Sequence, residues 1–163
     1  MPRHQPSIEE IADRISAYVY GNILTLAALV VLHTGEIERG VGLAIVVGTA
    51  LSTFVAHAFA ERLGAEVRGT AHAAWSVVLR DSMPILSSAA VPALLMLVGS
   101  LGWASPTVCL RLAETWIVGR LALTGFFVGR LQGRPVTIRT WFASGGLAVA
   151  ALLIVGVKVV FTH

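Results

Sequence analysis

Three ionisable residues stand inside the apolar stretch Pro106–Arg130, PTVCLRLAETWIVGRLALTGFFVGR: Arg111, Glu114 and Arg120. A charge at the depth of a bilayer core costs about 2.5–3.5 kcal/mol on insertion scales, so each needs a partner or a purpose. Advancing about 100° per residue along a helix places Glu114 at about 300° from Arg111 and Arg120 at about 180°, on the opposite side. Thr115, Val118 and Ala122 share the Arg111–Glu114 face, which is otherwise small. One reading pairs Arg111 with Glu114 at i,i+3, lets Arg111 reach outward, and stacks Arg120 on Trp116 one turn before it. The other makes Glu114 a proton or cation relay and Arg120 an anion contact or counter-ion. Arg120 falls near the middle of the stretch, too deep to reach water easily, and is the foremost single candidate for function.

A second constellation is His57 with Glu61, at i,i+4, and Thr53 and Thr49 on the same stripe. Histidine titrates near neutrality, so the pair could pass a proton, hold a cation with a further ligand, or fix helix packing through hydrogen bonds. His72 and Asp81 could complete a metal site, but no spacing requires one, and no metal or other cofactor is expected. The single cysteine, Cys109, excludes an intrachain disulfide and a cysteine cage. There is no phosphate-binding glycine loop, HExxH or GxSxG. No nucleophile–base pair can be placed, so an enzyme acting on a lipid-like substrate ranks below the non-catalytic readings.

These residues must be positioned by membrane helices. The chain of 163 residues is 56% hydrophobic and 13% charged, with a mean hydropathy of +0.80. Soluble domains carry roughly 25% charged residues, and here the deficit falls in long apolar runs. The sequence predicts one all-α integral membrane domain over 1–163, a bundle of five transmembrane helices at about 17–32, 41–60, 84–103, 106–130 and 141–161. Ser7-Ile8-Glu9-Glu10 reads as a capping box that starts an amphipathic lead-in to the first span. Acidic residues before that span argue against a cleavable signal, so the first helix is expected to remain. Residues 61–82 mix charge with helical apolar spacing and read as an interfacial helix between spans 2 and 3, broken near Gly64 or Gly69. A cytoplasmic extension of the second span is the alternative.

The clearest pattern lies in the second span, where Ala44, Gly48, Ser52, Ala56, Ala60 and Gly64 recur every four residues. Such a stripe lets another helix backbone approach closely, from this chain, another copy or another membrane subunit. In the third span Pro92 leaves the carbonyl of Ser88 without its helical donor, a kink that nearby serines can relieve. Arg14 through Leu29 resembles the first helix of bacterial potassium channels related to the lysosomal channel, in Arg14, Ala17, Tyr18 and Gly21. Val19 and Tyr20 stand where that family carries Ser and Asp, and no activity is carried over.

Eleven Arg against one Lys, with abundant Ala, Val, Leu and Gly, points to a bacterial source. The net charge of +3 does not indicate nucleic acid, because the arginines sit at the ends of apolar runs instead of in one cluster. Eight of the Lys and Arg outside the spans fall on one side (Arg3, Arg14, Arg62, Arg68, Arg80, Arg130, Arg134, Arg139) and two on the other (Arg39, Lys158). By the positive-inside rule the N-terminus is cytoplasmic and the C-terminus outside, in a multi-pass cell inner membrane protein. The function expected is a channel or transporter for an ion, proton or small solute, with Arg120, Glu114, Arg111, His57, Glu61 and Thr53 along the route. The alternative is a non-catalytic accessory or assembly subunit in which these residues hold helices together.

Overall fold

A computed structural model describes residues 8–67, 69 and 75–131. The described chain is all-helical, with no strand among its residues. Its elements are α1 (Ile8–Val30), α2 (Thr34–Glu38), α3 (Val41–Val67), α4 (Trp75–Ser100) and α5 (Pro106–Leu131). The amphipathic lead-in and the first apolar run are one continuous helix, α1, as the spacing predicts. The proposed cap at Ser7, the loop 132–139 and the fifth span, 141–161, lie outside the described residues.

Parallel helices α1 and α4 form the central pair, and α3 and α5 flank it on opposite sides, each touching both central helices but not one another. The seam between α1 and α4 is tight because Gly21 has no side chain: a Cβ there would lie 2.8 Å from the Ile85 Cα and 2.9 Å from the Ser88 Oγ. Thr25 and Ser88 meet beside it, their hydroxyls 3.2 Å apart. Each also bonds a carbonyl of its own helix, Thr25 to Gly21 at 2.8 Å and Ser88 to Ile85 at 2.6 Å. Polar groups that would be costly among apolar side chains are thereby satisfied at the crossing. Around them pack Leu26, Leu29, Met96, Ile117 and Leu121, all fully buried.

The segment between the first two apolar runs, His33–Gly40, contains α2. His33 is extended (φ −111°, ψ 156°) and its backbone N–H donates to Glu36 Oε2 at 2.8 Å. That bond, with the nearby His33 and Arg39, holds the Glu36 carboxyl below its ordinary pKa. The helix exists to drive Ile37 into the end of the bundle, where it is fully buried against Gly42 and Gly99. A larger residue at position 99 would press within 2.9 Å of the Ile37 Cγ2.

The predicted tight turn before α5 is present. Gly102 at φ +71° ends α4 in a Schellman motif, with Trp103 N–H bonded to Val98 O at 3.2 Å and Gly102 N–H to Gly99 O at 3.2 Å. Pro106 then opens α5, where a missing N–H is harmless.

Between spans 2 and 3 the structure corrects the expectation. Residues 61–67 continue α3 through Gly64, and residues 75–82 are the first turns of α4, so the described residues contain no separate interfacial helix. The break falls at Gly69, with φ +71°. Trp75 closes the turn, its ring edge-on to Phe59 at 6.2 Å and under the Arg62 guanidinium at 5.6 Å. Pro84, expected to open the third span, lies inside α4.

By length and apolarity, α3 and α4 are able to cross a membrane. In its most apolar stretch α3 has 22% of its residues buried within the protein, against 39% for α4, so α3 leaves most of its surface to its surroundings.

Candidate functional site

Arg120, on α5, is reached from two other helices at once. Pro92 supplies no N–H to the Ser88 carbonyl, which leaves that oxygen open to an outside donor. Arg120 Nη1 donates to Ser87 O at 3.1 Å and makes a longer contact of 3.5 Å to Ser88 O. Its Nε donates to the Tyr18 hydroxyl of α1 at 2.7 Å, and the guanidinium carbon lies 4.6 Å from the centre of that ring. Two hydrogen bonds from a charged group contribute about 1.5–3 kcal/mol each, and the ring contact adds roughly 0.5–2 kcal/mol. Together they are large enough to offset the cost of about 2.5–3.5 kcal/mol that this charge would carry if α5 lay in a bilayer. Arg120 therefore clamps α5 to α1 and α4. Its aromatic partner is Tyr18, on another helix, in place of Trp116 on its own.

Arg120 lies near the middle of α5. Fourteen residues of rise from Pro106 set it about 21 Å along α5, beside the first half of α1. One turn before Tyr18, Arg14 Nε donates to Asp81 Oδ1 at 2.8 Å, a cross-helix ion pair that marks this end of the α1–α4 seam.

Arg111 and Glu114 form the i,i+3 ion pair expected from their spacing, with Nη1 to Oε2 at 3.2 Å. The Arg111 side chain is 62% exposed and that of Glu114 only 6%, so the carboxylate points into the bundle and the guanidinium reaches out over it. Glu114 and Arg120 lie on opposite faces of α5 and do not converge.

His57 and Glu61 are half-buried, and neither makes a hydrogen bond or ion pair with a described residue, while Thr53 is buried. They belong to α3, which does not touch α5. The α1–α4 pair lies between these residues and Arg111, Glu114 and Arg120, so the structure assembles two separate sets. No cluster of three potential metal ligands occurs among the described residues.

The small-residue stripe is not the face α3 turns to its neighbours. Ala44, Gly48, Ser52, Ala56 and Ala60 are exposed and Gly64 is half-buried. The packed face is a neighbouring row containing Gly42, Val46, Ala50 and Thr53. Beside the stripe stands an exposed ridge of Val47, Leu51, Val55, Phe59 and Leu63.

Two further groups escaped the sequence reading. Tyr18 was legible only as an interfacial aromatic. Asn22 is fully buried; its Nδ2 donates to Tyr18 O at 2.6 Å, whereas its Oδ1 has no partner. No signal in the sequence distinguishes this amide from an ordinary polar member of a membrane helix.

Neither a family model, nor a curated protein, nor a solved structure matches the chain.

Proposed function

We propose that the protein is a small multi-pass inner membrane protein that works as an accessory or assembly subunit, offering the outer face of α3 to another membrane helix. The observation that carries this reading is the exposed stripe Ala44, Gly48, Ser52, Ala56 and Ala60 beside an exposed apolar ridge. A groove of small residues flanked by a ridge at the same four-residue interval suits ridge-into-groove packing with a second helix, from another copy or another subunit. The membrane placement is supported by two helices long and apolar enough to cross. Its orientation is supported by Arg14, Arg62 and Arg80 at one end of the bundle, opposite α2 with Glu36 and Glu38, which would put the Arg-rich end in the cytoplasm. Five spans remain the topology proposed from the sequence pattern.

Purification in mild detergent followed by mass measurement tests this. A homo-oligomer or a stable complex is the expected result, and a lone monomer from gently solubilised membranes would sink it.

Transport is the second reading, favoured by His57 and Glu61, which have no hydrogen-bond or ion-pair partner among the described residues. Their position on α3 means that a proton or ion route would run along α3 between associated helices, and Arg120 would not line it. A proteoliposome flux abolished by His57→Ala and unchanged by Arg120→Ala would support that version. A flux indifferent to His57→Ala would exclude it.

A further inference from the structure

An open groove of about 570 Å³ runs along the α1–α4 seam at its Arg-rich end. Its walls include Met83 and Pro84, and its polar rim is made of Arg14, Arg80, Tyr18 and Ser87. We infer that this groove binds the headgroup of an anionic phospholipid, with the acyl chains leaving along the apolar wall. The inference rests on the membrane placement proposed above.

The Ser87 hydroxyl donates to Pro84 O at 2.8 Å, whereas Arg80, Arg14 and Tyr18 keep donors that no described residue accepts. Arg80 is exposed and makes no hydrogen bond or ion pair with a described residue. Arg14 uses its Nε on Asp81, and its two terminal nitrogens have no described acceptor. The Tyr18 hydroxyl already accepts from Arg120 Nε at 2.7 Å, so its own proton is left to donate, and no described residue takes it. Arg120 is thus a positioning residue: its Nε–H occupies the Tyr18 oxygen as acceptor and leaves that hydroxyl's proton to donate. Among the described residues, a carboxylate pairs with Arg14 and none with Arg80 or Arg120. A shallow, largely apolar groove with arginine and tyrosine donors at its edge is complementary to a phosphate carrying acyl chains. Basic pockets between membrane helices on the cytoplasmic side recognise such lipids.

The test uses the full chain in mild detergent, titrated with phosphatidylglycerol or with phosphatidylcholine of the same acyl chains, and bound lipid counted by native mass spectrometry. Preferential retention of phosphatidylglycerol is expected. Arg80→Ala should weaken it about five-fold, the effect of losing one basic residue near a membrane surface. Tyr18→Phe should weaken it as well. Because Arg80 is exposed, thermal melting of that variant should match wild type, so its result reports binding. Equal retention of both lipids, an unaffected Arg80→Ala variant, or displacement by millimolar inorganic phosphate would each overturn the inference. Alkaline carbonate extraction separates the two layers of the claim. Release of the protein from membranes would sink the membrane reading, whereas retention without lipid preference sinks only the groove.

Discussion

The seam between α1 and α4 and the outer face of α3 are both surfaces of small residues, and the molecule uses them in opposite ways. At the seam a single glycine, Gly21, admits the backbone of α4, and the hydroxyls of Thr25 and Ser88 close the polar gap beside it. On α3 five small residues in register meet no other described helix, and a Cβ at Gly48 would have nothing within 4 Å. The longest regular pattern in the sequence is therefore the one the described bundle leaves unused. A stripe of small residues says that a helix can approach, and says nothing about whether the neighbour comes from the same chain. Close approach inside the bundle is fixed instead by where polar groups must be satisfied in a low-dielectric interior.

The largest effect that can break this contrast is steric. Gly21→Leu would force α1 from the backbone of α4; overpacking of this kind costs about 1–3 kcal/mol or more, and we expect loss of the cooperative thermal transition of the purified protein. Next comes the clamp at the same seam. Tyr18→Phe leaves Arg120 with its charge and one acceptor fewer, and should destabilise by about 1.5–3 kcal/mol. Arg120→Leu removes the charge along with its partners and should destabilise less than Tyr18→Phe. If the two losses come in the reverse order in denaturant titrations, the clamp has been misread.

Asn22→Leu gives a gain of opposite sign. Its Oδ1 is buried without a partner, and relief of such a group is worth about 1–3 kcal/mol, set against loss of a bond to a carbonyl within its own helix. A rise in Tm is the expected outcome.

The smallest effect lies at α2. The folded Glu36 carboxyl is held below its ordinary pKa by the His33 N–H. A depressed folded value means that this stabilisation is present above the ordinary glutamate pKa and is lost as pH falls through the folded value. Hydrogen exchange at the His33 amide should quicken on acidification across that window. Glu36→Gln should flatten the dependence.

Local rules made much of this fold legible. Pro106 and the glycines before it gave the turn into α5; the i,i+3 spacing gave the Arg111–Glu114 pair; and Pro92 gave the freed Ser88 carbonyl, which Arg120 approaches at 3.5 Å while bonding its neighbour Ser87 O at 3.1 Å. What escaped were relations between distant segments. Tyr18 and Arg120 are separated by 102 positions, and nothing local to either marks the other. Arg14 and Asp81, 67 positions apart, escaped for the same reason. Position 84 misled because proline is favoured at helix starts, yet α4 already begins at Trp75. The hydrophobic pattern at 61–82 was helical but did not show that its two halves belong to two different helices, joined through Gly69.

The most direct test of the contrast between the two surfaces is a single-cysteine scan along α3 in native membranes, in a Cys109→Ser background. Gly48→Cys, Ser52→Cys, Ala56→Cys and Ala60→Cys should cross-link to another polypeptide with the four-residue repeat of the stripe, while Val46→Cys and Ala50→Cys on the buried face should not. Cross-linking absent from the stripe, or equal on both faces, would contradict the assignment of α3 as an association surface.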